Sequence, residues 1–341
     1  MKTMKAILVG TPGGPDNLEI KMIDKPRPSA GQVLIEVKAF GINRAELYMR
    51  EGKWPEIAGI IGIECVGLVD EDPSGTFRSG QKVAAVMGGM GRSINGSYAE
   101  FTCVPLSNVV PIDTELEWSI FASIPETFTS AWGALHWALH VKAGQSLLVR
   151  GATSAFGQAA IILAKQAGLS VIAGTRSVHK KGLLTRIGAD QVLVENGNLV
   201  KEIKQLFPRG IDRVLDLVGS TTLMNSVKLT APKGMVCMAG FLGGRTFSDR
   251  FQPFVERSLR KKGQKFRIPL PGGVKVVFFA SSVFGSSQLP MSGIPLQQIV
   301  KDIEENRIPS ILSGVYRFEE IAKAHHRMEA NTANGKIVVV L

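Results

Sequence analysis

Between Ser146 and Ala239 short apolar runs alternate with longer amphipathic segments, and that alternation leaves the chain few folds. Strand-like Ser146–Arg150 precedes a helical pattern over Phe156–Ala167. Ser170–Thr175 leads to Val178–Ile187, and Gln191–Val194 to Leu199–Phe207. Arg213–Val218 precedes Thr222–Leu229, with the run Met235–Ala239 after it. Strand and helix periods that alternate at this spacing build βαβ units on a parallel sheet. The run "GGVKVVFFASS" (272–282) is expected as the last strand of that sheet.

Before this block the texture differs. "MKAILVG", "LEIKMID", "QVLIEVKAFGI", "GLVDED", "GQKVAAV" and "GSYAEFTCVP" are short strand-like runs parted by Gly, Pro and Asp. They suit a partly open barrel. Helices near 295–306 and 319–330 and the closing strand "KIVVVL" are expected to return to this first part. The expected layout is therefore α/β, with a β-rich domain at 1–124, a doubly wound parallel sheet at 125–282 and a return at 283–341.

The turn out of the first parallel strand reads "GATSAFG", Gly151–Gly157. A dinucleotide turn must leave the strand tightly, approach the pyrophosphate closely and pack its helix against the sheet. Gly151 can serve the first need and Gly157 the third. The middle position is Ser154, whose hydroxyl can donate to a phosphate oxygen. The N–H groups of residues 154–157 open a helix, which favours an anion.

The next strand names the dinucleotide. NAD sites place Asp or Glu at its end to bind the ribose 2′-hydroxyl. Here it ends "VIAGTRSVHKK": Thr175, Arg176, Ser177, His179, Lys180 and Lys181 stand with no acid among them. Guanidinium and ammonium groups hold a 2′-phosphate, which points to NADP(H).

Charge and cysteines bound the setting. The net charge of +11 raises nucleic acid as a partner. Nine Lys or Arg lie between 245 and 275, beside only Asp249 and Glu256. The plain reading is a solvated face; an anionic substrate such as a CoA-type phosphate, or RNA, is the sharper one. Nucleic acid is not the expected partner. Cys65, Cys103 and Cys237 are scattered and form no disulfide framework. No apolar run reaches the ~18 residues of a membrane span. A cytoplasmic chain is expected.

Other chemistries lack their motifs. There is no G-x-x-x-x-G-K-[ST], no G-x-S-x-G and no H-E-x-x-H. His136 and His140 lie one helical turn apart, with no Cys or acid to join them in a metal site. His325 and His326 are adjacent on a helix pattern and point apart.

Six strings in order, "FGINRAELYMREG", "GIIGIECVGLV", "GQKVAAV", "GSYAEFTCVP", "ETFTSAWGAL" and "GATSAFGQAAIILAKQAG", carry a likeness over nearly the whole chain. The chain resembles the zinc-independent quinone oxidoreductase branch of the medium-chain dehydrogenase/reductase superfamily. That resemblance implies a GroES-like catalytic domain, a Rossmann domain and a homodimer, with the strand "VKVVFFAS" a plausible pairing edge. Zinc-dependent relatives have a Cys in the first string and Gly-His-Glu in the second. Asn43 and Ile63 match those ligands here, so no metal is expected, although Glu64 remains.

The resemblance also implies site residues. Asn43 and Tyr48 match residues lining the nicotinamide and quinone pocket, and Thr129 matches a threonine near the nicotinamide. Gly151, Thr153, Ser154, Ala155, Phe156 and Gly157 match the phosphate turn. Thr175, Arg176 and Lys180 fall where the 2′-phosphate is held. Val218 and Gly219 match the adenosine side, and Gly240, Phe241, Phe279 and Ala280 the carboxamide side. Lys336 stands where a basic residue often lies near the cofactor. One departure is Glu195, where relatives often have tyrosine beside the adenosine; another is the basic stretch from 245.

The implied activity is NADPH-dependent reduction of quinones or α,β-unsaturated carbonyls. Tyr48, Asn43 or a backbone N–H would meet the developing oxyanion. An enoyl-CoA or enoyl-thioester reductase, and an NADPH sensor or RNA-binding protein without turnover, stay open beside it.

Overall fold

The computed structural model describes residues 2–54, 56–196, 198–240, 267–269 and 271–341. It divides into two compact units: Met1–Thr129 with Phe284–Leu341, and Ser130–Val283.

In the first unit β1 (Thr3–Val9) and β2 (Leu18–Asp24) form an antiparallel ribbon. β3 (Gln32–Ile42) is the long central strand of a larger sheet. Its N-terminal half pairs with β4 (Glu64–Glu71) and β6 (Phe101–Pro105); its C-terminal half pairs with β16 (Lys336–Val340). β5 (Lys82–Val86) and β7 (Val109–Pro111) extend the sheet beyond β4, and β15 (Leu312–Arg317) flanks β16. Thus the last strand pairs with β3 of the first part. Apolar residues of β1, β3, β4, β5 and β16 bury one continuous core. Within it Tyr98 stacks on Phe40, ring centroids 4.5 Å apart, and its hydroxyl shares a 2.9 Å hydrogen bond with His325 Nε2. His326, the next residue, faces Asp16 at 3.2 Å instead.

The second unit carries the sheet that the alternation foretold. Its order is β10 (Gln191–Val194), β9 (Ser170–Thr175), β8 (Ser146–Arg150), β11 (Ile211–Asp216), β12 (Thr230–Met238), β14 (Lys275–Phe278) and β13 (Arg267–Pro269). The first six are parallel, which is the doubly wound Rossmann order. Every residue of β8 is buried, as expected of a central strand covered on both faces. One expectation fails: β14 is not an edge, because β13 pairs with it antiparallel. The sequence run had no signal for that short strand.

Helices follow the strands as read. α4 (Ala155–Gln166) succeeds β8, and α5 (Lys181–Arg186) succeeds β9 after one 3-10 turn. α6 (Leu199–Leu206) and α7 (Leu223–Leu229) follow β10 and β11. The first unit holds α1 (Arg44–Arg50), α2 (Trp118–Phe121) and the start of α3 (Pro125–Trp132); the end of α3 and the π-turn over Gly133–Ala138 that follows it belong to the second unit. His136 is half-buried on that turn, 5.0 Å from the Trp132 ring, and its pKa is lowered by burial. Its ring packs against that indole.

Candidate functional site

The first unit's polar centre grows from the start of α1. Asn43 caps this helix: its N–H donates to Glu46 Oε2 at 2.9 Å, completing a capping box. Its side-chain NH2 donates to Glu64 Oε1 at 3.0 Å and to Glu46 Oε1 at 3.3 Å. Its Oδ1 accepts from Lys336 Nζ at 2.5 Å. Both amide hydrogens are therefore aimed inward at carboxylates, which leaves Asn43 as a group that fixes the cluster.

Lys336 and Glu64 form the buried ion pair of this cluster, Nζ to Oε1 at 2.5 Å. Gly41 makes room for it, since a Cβ there would collide with Lys336 Cε and Glu64 Oε1. Glu64 Oε2 also accepts the N–H of Glu126 at 2.8 Å, on the first turn of α3. Glu46 accepts the N–H of Ile63 at 3.1 Å. Burial pushes the Glu46 carboxyl up to about 8, against the opposing pull of Lys336. Lys336 was expected near the cofactor; its ammonium lies inside this cluster and is 1% exposed.

Tyr48 lies on α1, five positions after Asn43, and is half-buried. Thr129 lies on α3 and is buried, its Oγ1 without a hydrogen-bond partner among the described residues.

In the second unit the turn after β8 is built as a cradle. Gly151 has φ +73°, a region glycine enters without strain. A Cβ on Gly157 would lie 2.6 Å from Gly151 O, so the helix can approach the strand only without one. Ser154 is the cap of α4: its hydroxyl donates to Gly151 O at 2.9 Å and accepts from Gly157 N at 3.1 Å. The expected phosphate donor is thus engaged in the turn itself. The first-turn N–H groups, at Ala155 and Phe156, have no carbonyl above them and carry the positive end of the helix. Thr153 O accepts from Gln158 Nε2 at 3.1 Å.

The end of β9 is basic and open. Thr175 is buried and its Oγ1 accepts from Ser177 N at 3.1 Å. Arg176, His179 and Lys181 are exposed and Lys180 is half-exposed. The sequence run contains no acid, but a neighbouring strand delivers one. Glu195, just past β10, donates its N–H to Thr175 O at 2.8 Å. Its side chain lies over Gly174, where a Cβ would strike Oε1. Arg150, the last residue of β8, grips that carboxylate with Nη2 and with Nε, the latter at 3.3 Å.

Arg150 Nη1 donates at 3.1 Å to both Thr222 O and Ser226 Oγ. Ser226 Oγ donates to Asp216 Oδ2 at 2.6 Å, and Asp216 Oδ1 accepts the N–H groups of Val218 and Gly219 at 3.0 and 3.1 Å. One polar chain therefore ties the C-terminal ends of β10, β8 and β11 and sets the loop holding Val218. No local motif announced it, because its members lie on separate strands and helices.

Gly240 follows β12, where a Cβ would lie 2.6 Å from Leu217 O. Phe279 is buried against Trp137, ring centroids 6.0 Å apart, and Ala280 beside it is exposed. Phe241 lies outside the described residues, as does the basic stretch apart from Arg267 and Lys275.

Comparison with known proteins bears on both units. Residues 29–114 match the alcohol dehydrogenase GroES-like domain, and 155–264 match zinc-binding dehydrogenase. The quinone oxidoreductase of Rattus norvegicus is 26% identical over 100% of this chain and 98% of its own. A mycobacterial protein solved in complex with NADPH superposes with TM-score 0.82 at 24% identity, covering 99% of this chain and 100% of that one. The CurK enoyl reductase does so with TM-score 0.80 at 20% identity, covering 100% and 99%. At these identities the two structures speak for the fold alone.

The zinc in one of those family names can be tested against the residues present. The positions that match the ligands offer a carboxamide, Asn43, and an isoleucine, Ile63. The remaining carboxylate, Glu64, is already bound by an ammonium. Among the described residues no three His, Cys, Asp or Glu gather where a metal could sit. This donor set does not fit tetrahedral zinc.

Proposed function

The chain is an oxidoreductase that belongs to the quinone oxidoreductase branch of the medium-chain dehydrogenase/reductase superfamily, and on that premise we propose that it reduces quinones or α,β-unsaturated carbonyls with NADPH and without a bound metal. The observation that carries this reading is the basic end of β9: Arg176, His179, Lys180 and Lys181 stand where an NAD site would carry an acid.

The residues present fit the dinucleotide. Gly151 and Gly157 leave the turn bare, and the first N–H groups of α4 face an anion. Arg176 and Lys180 would hold the 2′-phosphate by charge-assisted hydrogen bonds. Bound NADPH supplies a hydride to an acceptor that is already electrophilic.

The chain's part is to orient and to stabilise charge. Tyr48 donates its O–H to the oxyanion that develops on the acceptor. Asn43 does not share that task, because its amide hydrogens are committed to Glu46 and Glu64. It fixes the start of α1 and so the helix that carries Tyr48. Thr129, whose Oγ1 has no hydrogen-bond partner among the described residues, is the second hydroxyl assigned to the reacting groups in this proposal.

The test is NADPH oxidation with a naphthoquinone, an enone and crotonyl-CoA side by side. Turnover of the first two ahead of the third is expected. Crotonyl-CoA as the best acceptor would make the chain an enoyl-thioester reductase. Dinucleotide binding with no turnover of any acceptor would leave a sensor.

A further inference from the structure

Glu195 presents a difficulty for a site that takes NADPH. Its N–H is bonded to Thr175 O at 2.8 Å, and its carboxylate lies over Gly174. A free carboxylate at the end of β9 would repel a 2′-phosphate held by Arg176 and Lys180. It would also offer a ribose 2′-hydroxyl the acceptor that NAD sites supply.

The chain meets this with Arg150. The guanidinium is 4% exposed and the Glu195 side chain 12% exposed, so solvent screens the pair little. Nη2 and Nε take both carboxylate oxygens, a two-point grip that lysine could not reproduce. On its far side Nη1 is bound to Thr222 O and Ser226 Oγ, both at 3.1 Å. Asp216 holds Ser226 in turn. Arg150 is therefore fixed in place from both ends.

We propose that the Arg150–Glu195 pair sets dinucleotide choice: Arg150 is a specificity-determining positioning residue that holds the Glu195 carboxylate in an ion pair over Gly174 and so offsets its charge at the end of β9. This rests on the reading of Arg176 and Lys180 as the phosphate holders. Loss of Arg150 frees a carboxylate that weakens NADPH and favours NADH. Loss of the Glu195 charge leaves a spare guanidinium that strengthens NADPH.

The experiment is dinucleotide binding, followed by reduced-nicotinamide fluorescence, with the purified full chain. The Kd ratio of NADH to NADPH is measured for the parent, Arg176→Ala, Arg150→Met, Glu195→Gln and the double variant. The parent is expected to favour NADPH, and Arg176→Ala to reduce that preference. Arg150→Met should cut the ratio by about ten-fold or more, and Glu195→Gln should raise it by roughly three-fold. The double variant should return near the parent, a reversal that general loosening of the fold would not give.

A parent without preference sinks the phosphate reading, and this proposal with it. A parent that prefers NADPH, with an unchanged ratio in Arg150→Met, overturns the role of the pair and leaves the phosphate reading standing. Should Arg150→Met fail to fold, the nearly isosteric Glu195→Gln decides, and an unchanged ratio there overturns the proposal.

Discussion

Lys336 Nζ lies 2.5 Å from Glu64 Oε1, and both side chains are almost wholly shielded from water. The pair joins β16 to β4 across 272 residues of sequence and feeds Asn43 at the head of α1. An ammonium therefore provides the positive charge beside Glu64.

Breaking the pair should be costly. Lys336→Met leaves Glu64 buried and unpaired, a change expected to cost about 3–5 kcal/mol. Urea unfolding at neutral pH measures it. Because the donors do not fit zinc, treating the parent with a chelator should leave its melting temperature and its activity unchanged. A large loss of either would contradict the reading of this cluster.

Glu46 gives the fold a base-side weakness. Its carboxyl titrates at about 8 in the folded chain, against the usual 4.5. Between these values the unfolded chain has released the proton and the folded chain still holds it. Stability from this group is therefore full below 4.5 and falls as pH rises to about 8, by up to ~1.4 kcal/mol per unit. Glu46→Gln should flatten that part of the stability-pH curve relative to the parent.

His325 acts on the acid side. Burial and the nearby Arg50 and His326 lower its pKa to about 3, from 6.5. The unfolded chain takes up a proton below 6.5 and the folded chain does not until about 3. Its contribution is present above 6.5 and is lost as pH falls through this window. His325→Gln, which keeps a polar partner for Tyr98, should lose less stability than the parent between neutral pH and pH 4.

Gly157→Ala tests the cradle. The new Cβ would meet backbone, Gly151 O at 2.6 Å and Ala152 Cα at 2.7 Å, so α4 must move off β8. Overpacking of this kind costs about 1–3 kcal/mol. Dinucleotide affinity should fall by more than a comparable change at Gly182, where nothing lies closer than the end of Arg186 at 3.9 Å.

Much of the fold was legible because its signals are local. The runs Ser146–Arg150, Ser170–Thr175 and Gln191–Val194 are strands with those same ends. The capping pair Asn43 and Glu46 was visible as N-x-x-E, a spacing that would have tied Glu46 to the site. What stayed hidden is long-range. Glu195 and Arg150 meet from different strands, Lys336 reaches Glu64 from the far end of the chain, and the hydroxyl of Ser154 turns back into its own loop. Periodicity reports which face of an element is buried, not which charged side chains meet there.

The most direct test is kcat/KM for NADPH and for NADH with a naphthoquinone, in the presence of a metal chelator. NADPH should be favoured by about ten-fold or more through the basic end of β9, with turnover undiminished by the chelator. Equal use of the two dinucleotides, or no turnover of quinone or enone with either, would contradict the proposed function.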